Sequence, residues 1–216
     1  MRKLIVAAEA ALMLISVIAG IICKQSFTDI DKYDEPFKNF NVGLMSETTA
    51  ENTGDFIDND LEEQSMYILK VTPTGKLKLS FLCYTEPVKV LNVYKGDNIS
   101  SGDEIEILRA SSCIYWNMGN KNAVNMGFVN FMNQGEDYLV FLSKKIPDKK
   151  VYYTTQCFIA PIFSYSERSN VILNSSNSTV LETKYGLTGN NEFLVSDEIS
   201  KTILEEKKNE LIKRYS

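Results

Sequence analysis

The chain has 216 residues, of which 44% are hydrophobic, and its formal net charge at pH 7 is −5. This length provides one domain with a proper core once an N-terminal targeting segment is set aside. The acidic balance excludes binding to nucleic acid, because that affinity comes chiefly from clustered lysine and arginine. Histidine is absent, which excludes nucleophiles activated by histidine and zinc sites with imidazole ligands.

The N-terminus has the features of a targeting segment. Arg2 and Lys3 precede an apolar run, residues 4–22, that contains a single charged residue. Its length favours a transmembrane helix, which needs roughly 20 apolar residues, over a cleaved signal peptide. Small residues before Gly20 leave a cleaved signal open. Residues 1–23 are therefore a predicted membrane anchor or signal peptide, and basic residues at the start place the rest outside the cytoplasm.

Residues 24–63 form a predicted acidic spacer. They are polar and weakly periodic, and their acidic residues crowd together shortly before the first predicted strand. Blocks of like charge are usually solvated, which favours a linker over a packed segment. Some of the aromatic residues Tyr33, Phe37 and Phe40 can still dock on the barrel.

A β-domain is predicted over residues 64–195, and its first half contains three strands. Residues 66–71 alternate between apolar and polar side chains, as half-buried strands do. Residues 81–94 change phase after Val90, which predicts a β-bulge where the strand bends around a small barrel. Residues 104–107 alternate cleanly and predict a strand with one buried face.

A long segment, residues 111–134, separates these strands from the next one. Long loops inside compact domains are often functional, and aromatic and methionine side chains are favoured at interfaces. The alternative is a plug that turns its apolar side chains into one end of the barrel, and the usual burial of large apolar residues favours it. The candidate interaction residues are Trp116, Met118, Met126, Phe128 and Phe131.

The second half of the domain supplies the remaining strands. Residues 138–142 are continuously apolar, which indicates a central strand covered on both faces. Further strands are predicted over residues 151–154, 159–165 and 171–173.

Residues 196–216 form a predicted C-terminal helix. Ser196 is its expected N-cap, acidic residues occupy the first turn and basic residues the last. Short helices gain most of their stability by packing an amphipathic face, so we expect this helix to dock on the barrel rather than bind a partner. Its broken apolar stripe consists of Ile199, Ile203, Leu204, Leu211 and Ile212.

Three cysteines, Cys83, Cys113 and Cys157, lie in the portion predicted to face outwards, where disulfides persist. An odd number leaves at least one thiol unpaired. Cys113 and Cys157 are the predicted pair, and three buried thiols are the alternative.

Three blocks of the sequence resemble a recurring pattern of bacterial cell-surface domains without an assigned activity. They are residues 85–97, 102–107 and 135–142, which contain the strings VKVLNVYKGD, GDEIEI and GEDYLVFL. The resemblance implies a mainly β fold with a small antiparallel barrel of the OB-like or netrin-like (TIMP-like) kind, preceded by the N-terminal helix and followed by the C-terminal α-helix. Cys23 lacks the C-x-C opening of netrin-like metalloproteinase inhibitors, so their mechanism does not transfer.

These features together predict a non-enzymatic module that binds a protein or another envelope component at the bacterial cell surface, either anchored in the membrane or secreted. No motif for catalysis, a metal or a cofactor is present, so we expect none of these. One alternative is a structural or sensory partner of another membrane protein. The other is a glycan hydrolase, which requires two carboxylates about 5–9.5 Å apart.

Overall fold

The computed structural model describes residues 2–26, 37–43, 60–80, 83–109, 115–118, 121–157, 159–173 and 180–216. The chain divides into two compact units, Met1–Pro36 and Phe37–Ser216. Within the second unit the described elements are, in chain order, β1 (Asn41–Gly43), α2 (Leu61–Gln64), β2 (Tyr67–Pro73), β3 (Lys78–Ser80), β4 (Cys83–Lys95), β5 (Glu104–Leu108), β6 (Tyr115–Met118), β7 (Lys121–Val124), β8 (Tyr138–Lys145), β9 (Val151–Thr154), β10 (Ile162–Ser164), β11 (Val180–Lys184), a 3-10 helix (Tyr185–Leu187) and α3 (Glu198–Arg214).

The first unit contains one described helix, α1 (Arg2–Ser26). Its large apolar side chains between Leu12 and Ile22 are exposed, each by 48% to 72%. Across the residues that the structure describes, no helix has both the length and the apolar character needed to cross a membrane. The membrane anchor or signal peptide at residues 1–23 stays a prediction.

Five strands of the second unit close a β-barrel. They are joined in the order β2, β4, β5, β9 and β8, and β8 pairs back with β2. Every pair is antiparallel except β5 with β9, which run parallel. Outside the closed ring, β3 pairs with β4 and β10 pairs with β8. The predicted mainly β fold with a small barrel and a C-terminal helix is confirmed.

The two sequence features that indicated curvature and burial are both present. Lys70 pairs with Asn92 and the next residue, Val71, pairs with Val90, so Leu91 is an extra residue in β4. This is the predicted β-bulge, and it bends the longest barrel strand. The first five residues of β8 are all buried, because β8 pairs with β2, β9 and β10. Its predicted central position is confirmed.

A second, smaller sheet has the strand order β11, β1, β7, β6. Its strand β1 comes from the predicted spacer, and Phe37 and Phe40 just before it are 1% and 7% exposed. Phe37 stacks on Phe131 with ring centres 5.6 Å apart. The compact unit thus begins at Phe37 instead of residue 64, because a few aromatic side chains in a polar segment bury enough apolar surface to hold it.

Two predicted strands differ from the structure. The strand expected over residues 159–165 is shorter, since only Ile162–Ser164 pair with β8. Residues 171–173 are not a strand; Leu173 instead donates one backbone hydrogen bond to the carbonyl oxygen of Val195, at 2.9 Å. A short apolar run signals burial, and Leu173 is indeed 5% exposed. Burial alone does not specify a ladder of backbone hydrogen bonds.

Helix α3 packs against the rest of the second unit, as predicted, through Leu204 and Leu211, which are 0% and 1% exposed. The predicted stripe is only partly correct, because Ile199 is 62% exposed. Ser200 and Lys208 complete the buried face instead. A helix face that buries a lysine needs a partner for the charge, and that partner is described with the candidate site.

The cap of α3 gives a first testable prediction. Asp197, and not the predicted Ser196, is the N-cap, since its side chain accepts the backbone N–H of Ser200 at 2.7 Å. We expect Asp197→Ala to lower the free energy of unfolding by about 1 kcal/mol in a urea titration. Asp197→Asn keeps an acceptor at the same place and should retain most of that stability. Equal losses in both variants would contradict capping as the role of this carboxylate.

Candidate functional site

The long segment between β5 and β8 contains all the candidate interaction residues. Trp116 and Met118 lie on β6. Met126, Phe128 and Phe131 are 1%, 4% and 8% exposed. The segment therefore places these last three side chains in the core, as the plug alternative expects, and it does not bring the five candidates together on one surface.

Arg109 and its partner Glu86 hold one part of this segment, residues 129–132, in place. The side chain of Arg109 is fully buried, and its Nε donates to Glu86 Oε2 at 2.7 Å. Its Nη1 and Nη2 donate to the carbonyl oxygens of Val129 and Asn130 at 2.7 and 2.8 Å. The second oxygen of Glu86 accepts the backbone N–H of Met132 at 3.0 Å. The ion pair between Glu86 on β4 and Arg109, directly after β5, thus holds the backbone of residues 129–132.

The environment of Arg109 keeps it charged. Burial on its own would lower the pKa of this guanidinium, but the charge of Glu86 and the hydrogen bond between them raise it above its ordinary value. The rings of Tyr84 and Phe131 lie 5.8 and 5.6 Å from its central carbon. Aromatic faces attract a desolvated cation, so they add to the stabilisation that Glu86 provides.

Asn130 ties the same segment to the chain that precedes α3. Its side-chain nitrogen donates to the carbonyl oxygens of Thr188 and Asn191 at 3.0 and 2.9 Å. Its side-chain oxygen accepts the backbone N–H of Phe131 at 2.8 Å and the hydroxyl of Tyr185 at 2.9 Å. The full hydrogen-bonding capacity of a buried amide is used, which makes this a rigid support.

Two carboxylates beside Ser164 have the electrostatic features of an acid and base pair. Ser164 donates its backbone N–H to Glu192 Oε1 at 2.7 Å and its hydroxyl to Glu136 Oε2 at 3.1 Å. Burial raises the pKa of Glu192, whereas Arg168 outweighs the effect of burial on Glu136 and lowers the pKa of that carboxyl. Opposite shifts of this kind are typical of catalytic carboxylate pairs.

The accessibility of Glu192 argues against this pair as the acid and base of a hydrolase. Its side chain is 2% exposed, and its second oxygen accepts a hydrogen bond from Lys208 of α3 at 2.5 Å. Glu136 is bound by the guanidinium of Arg168. Both carboxylates are therefore engaged within the fold, and Glu192 is closed to a substrate. In the part of the chain that the structure describes, no group of three or more acidic or cysteine side chains is placed to hold a metal ion.

The predicted disulfide is not tested by the structure. Cys113 lies outside the described residues, while Cys157 is buried and Cys83 is exposed. The pairing of Cys113 with Cys157 stays a prediction.

The charged residues of this region were missed in the sequence. Glu86 is in the same phase of its strand as Tyr84, Val88 and Val90, all buried, so its position already marked it as an inward-facing acid. Arg109 follows β5 directly and offered a partner of opposite charge. A buried acid in the apolar phase of a strand is the signal that could have identified this pair.

The comparisons with known proteins do not assign a family. No protein-family model matches this chain, and a search of curated proteins finds no match.

Proposed function

We propose that this protein is a non-enzymatic module, located outside the cytoplasm, that binds a partner protein through the free edge of strand β6. One observation carries the proposal: β6 is the last strand of its sheet and, among the described residues, it pairs only with β7. An edge strand presents unpaired N–H and C=O groups to which an extended segment of another protein can add. Trp116 lies on this strand, and tryptophan is enriched among residues that dominate binding energy.

The support beneath β6 favours binding without rearrangement. In the paired strand β7, Ala123 and Val124 are both 0% exposed. Met126 follows in the core, and Arg109 and Asn130 hold the next turn through five hydrogen bonds that they donate or accept. Binding to an edge that is already held in place costs less conformational entropy than binding that must first order the edge.

The strand pairing of the barrel supports an OB-like or netrin-like fold. The barrel has five strands, and its third and fifth strands in chain order, β5 and β9, are the parallel pair. This arrangement suits the OB-like or netrin-like architecture that the sequence resembles. The location outside the cytoplasm, at the cell surface or as a secreted protein, rests on the basic and apolar N-terminal sequence. The absence of enzymatic activity is proposed because Glu136 and Glu192 are engaged by Arg168 and Lys208.

The test compares substitutions in the edge strand β6 with one in the buried segment that follows β7. We expect Trp116→Ala to weaken capture of a partner from solubilised envelope by the full-length protein at least about tenfold, as loss of a central tryptophan does at interfaces. Its thermal melting temperature should stay that of the wild type. Asn117→Pro, which places a residue without an N–H donor in the edge strand, should also weaken capture.

Phe128→Ala is the matched control, since it removes a buried ring from the support. We expect it to lower the free energy of unfolding by about 3–5 kcal/mol while the protein that remains folded still captures the partner. A partner captured equally well by wild type, Trp116→Ala and Asn117→Pro would contradict binding at β6.

A further inference from the structure

The hairpin that joins β8 to β9 is a concentrated positive surface on an acidic protein. Residues 144–150, the lysine hairpin, contain four lysines and one aspartate, whereas the whole chain has a net charge of −5. All four lysines, Lys144, Lys145, Lys149 and Lys150, are exposed. At physiological salt, charges more than about 8 Å away are largely screened, so a ligand near the hairpin meets its local charge and not the net charge.

The lysine hairpin has a defined shape. The backbone N–H of Ile146 donates to the carbonyl oxygen of Val151 at 2.8 Å, and that of Lys149 donates to Ile146 at 3.3 Å. The turn places Asp148 in the left-handed region, with φ 59°. The backbone N–H of Glu106 on β5 donates to the carbonyl oxygen of Lys150 at 2.8 Å. The lysines therefore project from a hairpin that the barrel holds, and not from a loose tail.

The charges of the four lysines are not neutralised within the fold. In the described part of the chain, no ion pair joins any of them to a carboxylate. Glu106, the acid whose backbone contacts the hairpin, has its carboxylate engaged by Lys78 and by the hydroxyl of Thr85. The ammonium groups of Lys144 and Lys145 lie 5.0 and 5.8 Å from the ring centres of the tyrosines opposite them in β9, a contact that orients a cation and leaves its charge available.

We propose that the lysine hairpin binds the clustered phosphate groups of an anionic lipid surface. The lysines flank the tip on both sides, and the tip residues Pro147 and Asp148 are exposed. Among the residues that the structure describes, no buried polar side chain converges on this surface, so it is not shaped to enclose one small anion. Spread positive charge on a projecting tip instead matches spread negative charge on a flat surface, where each lysine is expected to strengthen association about fivefold.

The experiment measures protection of individual lysines from an amine-reactive reagent, read by peptide mass spectrometry on the full-length protein. We expect Lys144, Lys145, Lys149 and Lys150 to be labelled several times more slowly with vesicles of phosphatidylcholine containing phosphatidylglycerol than with phosphatidylcholine alone. Lys89 and Lys213, which are also exposed, should be labelled at the same rate with both. This readout reports on the hairpin itself, whatever else brings the chain to a vesicle.

Two variants of equal charge complete the test. Lys149→Gln/Lys150→Gln should remove the protection at Lys144 and Lys145, whereas Lys89→Gln/Lys213→Gln should leave it unchanged. Raising the salt from 0.1 to 1 M should abolish it, because the Debye length shortens from about 10 to about 3 Å. Equal labelling with both kinds of vesicle would overturn the proposal, and so would protection by soluble polyphosphate without protection by anionic vesicles.

Discussion

Replacing Arg109 with methionine is expected to lower the free energy of unfolding by about 3–5 kcal/mol, the loss that follows when one member of a buried ion pair is removed. The change leaves Glu86, which is 3% exposed, as an uncompensated buried charge. It also leaves the carbonyl oxygens of Val129 and Asn130 without the donors that now bind them. Urea denaturation followed by circular dichroism provides the measurement.

Two further variants separate the buried pair from other effects of the substitution. Arg109→Met/Glu86→Gln removes both charges, and its loss should be smaller than the sum of the two single losses by about 0.5–3 kcal/mol. Lys78→Met breaks the exposed pair with Glu106 and should change stability by at most about 1 kcal/mol. If Lys78→Met is as damaging as Arg109→Met, burial is not the reason for the effect.

Replacing Lys208 with methionine is expected to make stability strongly dependent on pH. Lys208 is the cation beside Glu192, and it also donates to the carbonyl oxygen of Ser166 at 2.7 Å. Burial already raises the pKa of Glu192 above its ordinary value of 4.5, and Lys208 opposes that shift. Without the lysine the pKa rises further, so the folded variant keeps a proton that its unfolded chain releases.

The sign of the effect follows from proton linkage. A carboxyl whose pKa is raised in the folded state stabilises that state at low pH, and the stabilisation is lost as pH rises from 4.5 towards the folded pKa, by up to about 1.4 kcal/mol per pH unit. We therefore expect Lys208→Met to lose about 3–5 kcal/mol at pH 8 and clearly less at pH 5. Urea titrations at both pH values measure the difference.

Lys208→Met/Glu192→Gln is the control for this prediction. It keeps the size of the carboxyl side chain but has no titrating group at residue 192, so the part of the difference between pH 8 and pH 5 that Glu192 causes should disappear. A loss that is the same at both pH values in Lys208→Met would contradict an ionised Glu192 as its cause.

The sequence predicted the β-bulge and the central strand because their signals are local. The change of phase after Val90 and the continuous apolar run in β8 each depend on neighbours within a few residues, and these produce the bulge and the central strand. The pairing of β1 with β7 and β11 has no such signal. It joins Asn41 to Ala123 and Lys184, and a three-residue strand in a polar segment is not distinguished from a linker by composition.

The candidate site was less predictable than the fold. Aromatic and methionine content identified the segment between β5 and β8, but content does not separate a side chain that contacts a partner from one that fills the core. Phe128 and Phe131 are buried because Arg109 and Asn130 hold the backbone around them, and those contacts join residues distant in the sequence. The four lysines of the β8–β9 hairpin were visible in the sequence, yet their significance depends on the absence of ion pairs within the described fold.

The position of β1 between two distant strands also implies an order of folding. The barrel strands β2, β4 and β5 follow one another and form by closing short loops. Strand β1 instead requires β7 and β11, with Asn41 opposite Ala123 on one side and Lys184 on the other. Closing such long loops carries a larger entropic penalty before any contact forms. In pulse-labelled hydrogen exchange during refolding, the amides of β2 and β4 should gain protection first, and that of Val42 among the last.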